Sequence, residues 1–212
     1  MKKTSLLVVI AAPLVAGALS GCIGMAAVGV GTAMMSSVDR RTTGTQVEDE
    51  GIELRVTNRI SERFGDRVHV NVTSYNRNVL LTGEVPDAKA RAEIEKITLG
   101  VANARGVTNE LQVAGGSSLS SRASDTTITG KVKARFLDAN RFNVLSIKVV
   151  TEASVVYLLG IVTEQEAADA VEIARTTGGV RKVVKVFEYC KPTDAICAPP
   201  VPAKPKAEEP KK

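Results

Sequence analysis

One order of elements is written into this chain twice. After Glu48, apolar residues recur every four positions, at Ile52, Val56 and Ile60, with Phe64 one turn further and Glu, Arg and Asn between them. That spacing lays a single apolar stripe along a helix. Glu48, Asp49, Glu50 and Glu53 are expected at its start, where the helix dipole favours negative charge. Gly65-Asp66 ends it. Val68, Val70 and Val72 alternate with Arg67, His69 and Asn71, the period of a half-buried strand. Ser74 to Asn78 has turn chemistry, and Val79, Leu81, Gly83 and Val85 alternate again, so a hairpin is predicted. Pro86-Asp87 leads into a second helix over 88–99, with Ala90, Ile94 and Ile97 on one side. Val107, Asn109, Leu111 and Val113 share a third strand. The whole order then returns. Ile128, Val132 and Phe136 stand 76 places after Ile52, Val56 and Ile60, and Leu145, Ile147 and Val149 make the next strand. Val156, Leu158, Gly160 and Val162 answer Val79, Leu81, Gly83 and Val85 at an offset of 77, and Ala167, Val171 and Ala174 line the last helix. Matched spacing over a whole unit is the signature of an internal duplication.

The segments outside the two units differ in composition. Residues 38–46 read as a linker, and so does the Gly/Ser-rich stretch 115–123. Beyond 190, six of the chain's eight prolines lie among Lys, Ala and Glu, which predicts a disordered, partly extended tail over 191–212. The formal charge is +5, but two lysines lie at the extreme amino terminus and four in the tail from Lys204 onward. The duplicated part is near neutral, so nucleic acid is not an expected partner.

The first 38 residues decide where the chain lives. Lys2-Lys3, an apolar core from Ser5 to Ala18 and small residues after it make a secretory signal. Leu19-Ser20-Gly21-Cys22 resembles the lipobox of bacterial lipoproteins. The resemblance implies removal of residues 1–21, acylation of Cys22 and a lipidated tether over 22–46. At about 0.8 kcal/mol per buried methylene, several acyl chains hold a protein to a membrane essentially for good. Ile23, where an Asp would favour inner-membrane retention, points by the same resemblance to the outer membrane. A transmembrane helix is the competing reading, because 4–38 carries no charge. Pro13 and the Gly/Ala/Ser content after Cys22 argue against it. In an oxidising periplasm Cys190 and Cys197 form an even pair that a disulfide could close into a small loop at the start of the tail; two free thiols are the alternative.

The two units resemble the BON domain family. The features that carry this are the apolar-x-apolar-x-Gly-x-Val strand before an Ala/Glu-rich helix, at 79–85 and 156–162, and the Val-x-x-Val-x-Asn-x-Leu end of the first unit. The second copy replaces that Asn and Leu by Lys185 and Phe187. The resemblance implies an α+β fold of two tandem αββαβ sandwiches, 47–114 and 124–190, each with two helices on a three-stranded mixed sheet. It also implies membrane attachment through phospholipid, in support of envelope integrity, and no catalysis. Gly83 and Gly160 lie in register with apolar neighbours and are read as structural, letting a helix approach the sheet.

No catalytic set, metal-ligand spacing or cofactor loop is evident. His69, the one histidine, lies on the polar side of a strand and reads as solvated. The remaining signal is a surface. Counting 44–115 gives nine Lys/Arg against eleven Asp/Glu, whereas 123–191 gives ten against eight. The second unit is therefore the better match for anionic lipid. Lys131, Lys133 and Arg135 flank its first helical stripe, Leu137 falls nearly opposite the core, and Arg141 and Phe142 follow in a loop that the first unit lacks. Cations around outward apolar side chains suit a bilayer interface. The competing reading of this patch is an ordinary solvated helix edge, with Leu137 covered by the other domain; the competing function is an envelope adaptor that recruits a protein through its sheet edges and Pro-rich tail.

Overall fold

The computed structural model describes residues 39–115 and 119–197. The signal, the lipobox with Cys22, the tether up to residue 38 and the tail from residue 198 lie outside them. The described residues form one compact unit containing two αββαβ domains.

The first domain runs α1 (Thr43–Phe64), β1 (His69–Tyr75), β2 (Asn78–Val85), α2 (Ala88–Leu99), β3 (Gly106–Asn109) and β4 (Gln112–Val113). β1 and β2 are antiparallel, and β3 and β4 both run parallel to β2. Leu81 faces Asn109 and Glu84 faces Gln112, the same offset of 28, so β3 and β4 are one edge strand broken at Glu110-Leu111. Ile52, Val56 and Ile60 pack with Val79, Leu81, Val85 and Ile94 between helices and sheet.

The second domain repeats this with α3 (Leu119–Ala139), β5 (Ile147–Glu152), β6 (Val155–Val162), α4 (Glu164–Arg175) and β7 (Lys182–Tyr189). β5 is antiparallel and β7 parallel to the central β6. Ile128, Val132 and Phe136 close its core over Val156, Leu158 and Val162.

Both first helices begin earlier than the apolar stripe alone predicts. Thr42 caps α1 by accepting from the Thr45 amide, so Glu48 to Glu53 lie beyond its first turn and do not serve the dipole there. α3 takes in 119–123, read above as linker. Leu145, expected inward, falls in a 3-10 turn (Val144–Ser146) that shifts it out of register, and it is 45 % exposed. The two glycines face a different neighbour from the one expected. A Cβ on Gly83 (φ +115°) would overlap the carbonyl oxygen of His69, and one on Gly160 would stand 2.5 Å from that of Ser146. The close approach is by the adjoining strand, not by a helix.

The sheets also bury their second faces, against each other. Tyr75 and Leu80 of the first domain join Val155, Tyr157, Leu159 and Ile161 of the second in a separate apolar cluster. Polar links surround it: Asn76 and Asn78 donate to the Glu188 carboxylate at 2.8–2.9 Å, Lys148 Nζ to Glu53 at 3.1 Å, and the Tyr75 hydroxyl to Ser146 O at 3.3 Å. Cys190 and Cys197 are joined, with Cα atoms 6.2 Å apart, and Cys197 is buried in this same cluster. The loop they close therefore packs on the seam, where only a tail-pinning role was expected of it.

Candidate lipid-binding surface

The predicted surface residues separate into three groups. Lys131, Lys133 and Leu137 point outward from α3; Leu137 is 62 % exposed, and neither lysine pairs with an acid among the described residues. Arg135 and Arg141 are engaged in holding the domain together. Arg135 Nη1 lies 2.9–3.0 Å from Ile173 O and the hydroxyls of Thr176 and Thr177, a cation on the carbonyl end of α4. Arg141 pairs with Asp169 at 3.2 Å and ties its loop to the same helix. Phe142 does not project from the surface as expected. It packs on the core and meets Phe136 edge to face with centroids 5.0 Å apart. An aromatic in a loop next to an open core edge gains more by closing that edge than by standing in water.

The structure adds residues that the spacing did not reveal. Beside α3 lies an open groove of about 430 Å³. Leu137 and Leu145 form its apolar lips, Val144, Phe136 and Ile147 its floor, and Tyr75 of the first domain one wall. Lys133, Lys148 and Arg41 supply cations around it. Lys148 reaches this place by register on β5. Arg41 reaches it from the segment before α1, where Asp39 and Asp49 accept from its guanidinium at 2.9 and 2.8 Å and the cation covers the Tyr75 ring at 4.1 Å from the centroid. Burial pushes the Tyr75 hydroxyl up to about 12, so that wall is neutral. Arg41 is neutralised by Asp39 and Asp49 and only 13 % exposed, and Lys148 pairs with Glu53, so Lys133 is the one groove cation without an acid partner among the described residues. A cation over an apolar floor suits an amphiphile with an anionic head, since the charge stays wet while the carbon surface can accept an acyl chain. No helix among the described residues is long and apolar enough to cross a membrane.

The neighbouring strap is built from the same short segment. Arg40 binds the Glu166 carboxylate with both nitrogens, at 2.7 and 2.9 Å, and donates to Ile161 O at 2.8 Å. Burial alone would raise the Glu166 carboxyl; Arg40 and the Thr163 amide outweigh it and hold it below the ordinary range. His69, expected to be solvated, instead holds Glu84 at 2.8 Å.

The BON domain model matches residues 48–115 and 124–191. The chain is 36 % identical over 173 residues to the outer membrane lipoprotein DolP of Haemophilus influenzae, covering 81 % of this chain and 90 % of that protein. It is 32 % identical over 154 residues to the 21 kDa hemolysin of Actinobacillus pleuropneumoniae, covering 72 % and 79 %. Two matched copies and relatives aligned along most of their length place the chain in the BON domain family, as a member that carries the domain twice.

Proposed function

We propose that this chain is a lipid-anchored protein of the outer membrane's periplasmic face, whose second BON domain binds anionic phospholipid in support of the envelope barrier. The observation that carries the reading is the groove beside α3, lined by exposed Leu137 and Leu145 together with Lys133, which pairs with no acid among the described residues. Lys131 and Lys133 are the cations left to meet lipid phosphates; Arg135 and Arg141 position α4 and the loop. The lipobox supports the anchor, and the name of the Haemophilus relative supports the membrane. Arg41 in the groove wall follows Cys22 by 19 residues, so an anchored chain would keep the groove at a high effective concentration near lipid.

The test is co-sedimentation of a chain beginning at Val38 with phosphatidylglycerol-rich and phosphatidylcholine vesicles. Binding is expected to the first alone. Lys133→Glu with Leu137→Ser should weaken it about tenfold or more, since each surface cation contributes about 1 kcal/mol and a buried leucine about 2. Equal binding by parent and variant would remove the groove from the account. A parent that ignores both vesicles would favour the adaptor reading.

A further inference from the structure

We propose that His69, Glu84 and Glu152 form a binding site for a divalent transition-metal ion of the zinc type, which clamps the two domains across their seam. His69 and Glu84 stand opposite one another on β1 and β2, with Nδ1 and Oε2 2.8 Å apart. Glu152, the last residue of β5, enters from the second domain. One donor atom from each of the three lies within 4.8 Å of the others. Tetrahedral zinc ligands sit about 3.4 Å apart, so the His69–Glu84 pair has to open slightly and Glu152 to draw in, both of which carboxylate rotation supplies.

The charge balance is what calls for a cation. Glu84 and Glu152 are 7 % and 6 % exposed. Glu152 is held by neutral groups only, Asn71 Nδ2 at 2.6 Å and Thr82 Oγ1 at 3.5 Å, and Glu84 pairs only with His69. No Lys or Arg pairs with either carboxylate among the described residues. Two buried carboxylates repel strongly in a medium of low dielectric, and a single imidazole brings one positive charge at most. A divalent ion neutralises both. One imidazole with two carboxylates suits zinc and its neighbours rather than magnesium or calcium, which favour oxygen alone. Asn71 and Thr82 already orient Glu152 as outer partners orient a metal ligand. The way in is open: His69 and Glu84 line a groove of about 590 Å³ with Asp66, Arg67 and Arg122 along it. Arg67 donates to the carbonyls of Phe64 and Arg63, at 3.1 Å each, and forms an ion pair with neither Glu84 nor Glu152.

The experiment uses the full chain in detergent micelles with its disulfide oxidised. After removal of metal by a chelator it is dialysed against micromolar zinc sulfate, and bound zinc and Tm are measured. Roughly one zinc per chain and a Tm rise of several degrees are expected, because an ion that binds only the folded form stabilises it. Glu152→Gln and His69→Gln should each lose at least about nine-tenths of the bound zinc at an unchanged far-UV circular dichroism spectrum. Zinc retained by both variants at the parent's level would overturn the site, as would a parent that retains none. An equal Tm rise with magnesium would overturn the choice of ion.

Discussion

Asp49 receives the Ser74 hydroxyl at 2.6 Å, the Asn76 and Arg77 amides at 2.9 and 2.6 Å, and Arg41 at 2.8 Å. Asp125, 76 places later, receives the Ala153 and Ser154 amides at 2.9 and 2.8 Å. Each carboxylate thus reaches from the first helix of its domain to hold both central residues of a hairpin turn at positive φ, 51° and 67° in one and 49° and 62° in the other. Such turns favour Asn and Gly, and the second has Ala and Ser, so the carboxylate there offsets real backbone strain. Asp125→Asn should cost about 1–3 kcal/mol in urea unfolding, and Asp49→Asn about 1 kcal/mol more, because it also leaves a buried guanidinium with Asp39 alone. Equal losses would show that Arg41 adds nothing to the turn. Asp49 reads from sequence as one of several acids at a helix start. Its place three before Ile52, matched by Asp125 three before Ile128, is the signal that it shares the inward stripe. Gly83 and Gly160 were legible as tight positions from their register. Which neighbour they meet was not, because spacing along a strand carries no information about how closely a partner backbone approaches.

At the scale of elements, helices and strands followed from apolar period, and their ends did not. The start of α1 depends on Thr42, Arg40 and Arg41, small and charged residues whose partners are up to 157 positions away. The strap they form joins the first helix of one domain to the cap of α4, where Thr163 and Glu166 make a reciprocal capping box. Arg40→Ala should therefore cost about 1–2 kcal/mol at neutral pH by leaving the half-buried Glu166 without its cation. The pH dependence has a definite sign. Glu166 is depressed below its ordinary 4.5 in the folded chain, so its contribution is present above that pH and is lost as pH falls through the folded value. Stability curves of parent and Arg40→Ala should be furthest apart at neutral pH and converge in acid. Parallel curves down to the acid transition would mean that this pair carries none of the dependence.

For the whole molecule, the central strands show what pattern reading catches and what it passes over. Val156, Leu158 and Val162 announce a face toward helices, but Val155, Tyr157, Leu159 and Ile161 between them are apolar too. A run apolar at both phases means a strand buried on both sides, and here the second cover is the other domain. The polar end of the seam, His69 and Glu84 with Glu152, was invisible because its members lie on three strands of two domains. Both tyrosines of the apolar end report on its integrity. Burial pushes Tyr75 and Tyr157 up to about 12 from 10.0, while Tyr189 is exposed. A raised folded value means that the stabilisation is whole below pH 10 and is lost as pH rises toward 12. Each tyrosine contributes about 1–3 kcal/mol to that loss. In an alkaline titration followed by tyrosinate absorbance and circular dichroism together, Tyr75 and Tyr157 should ionise late, in step with loss of structure. If both ionise while the helices and strands persist, the two sheets part in solution and the seam is not what holds the domains as one body.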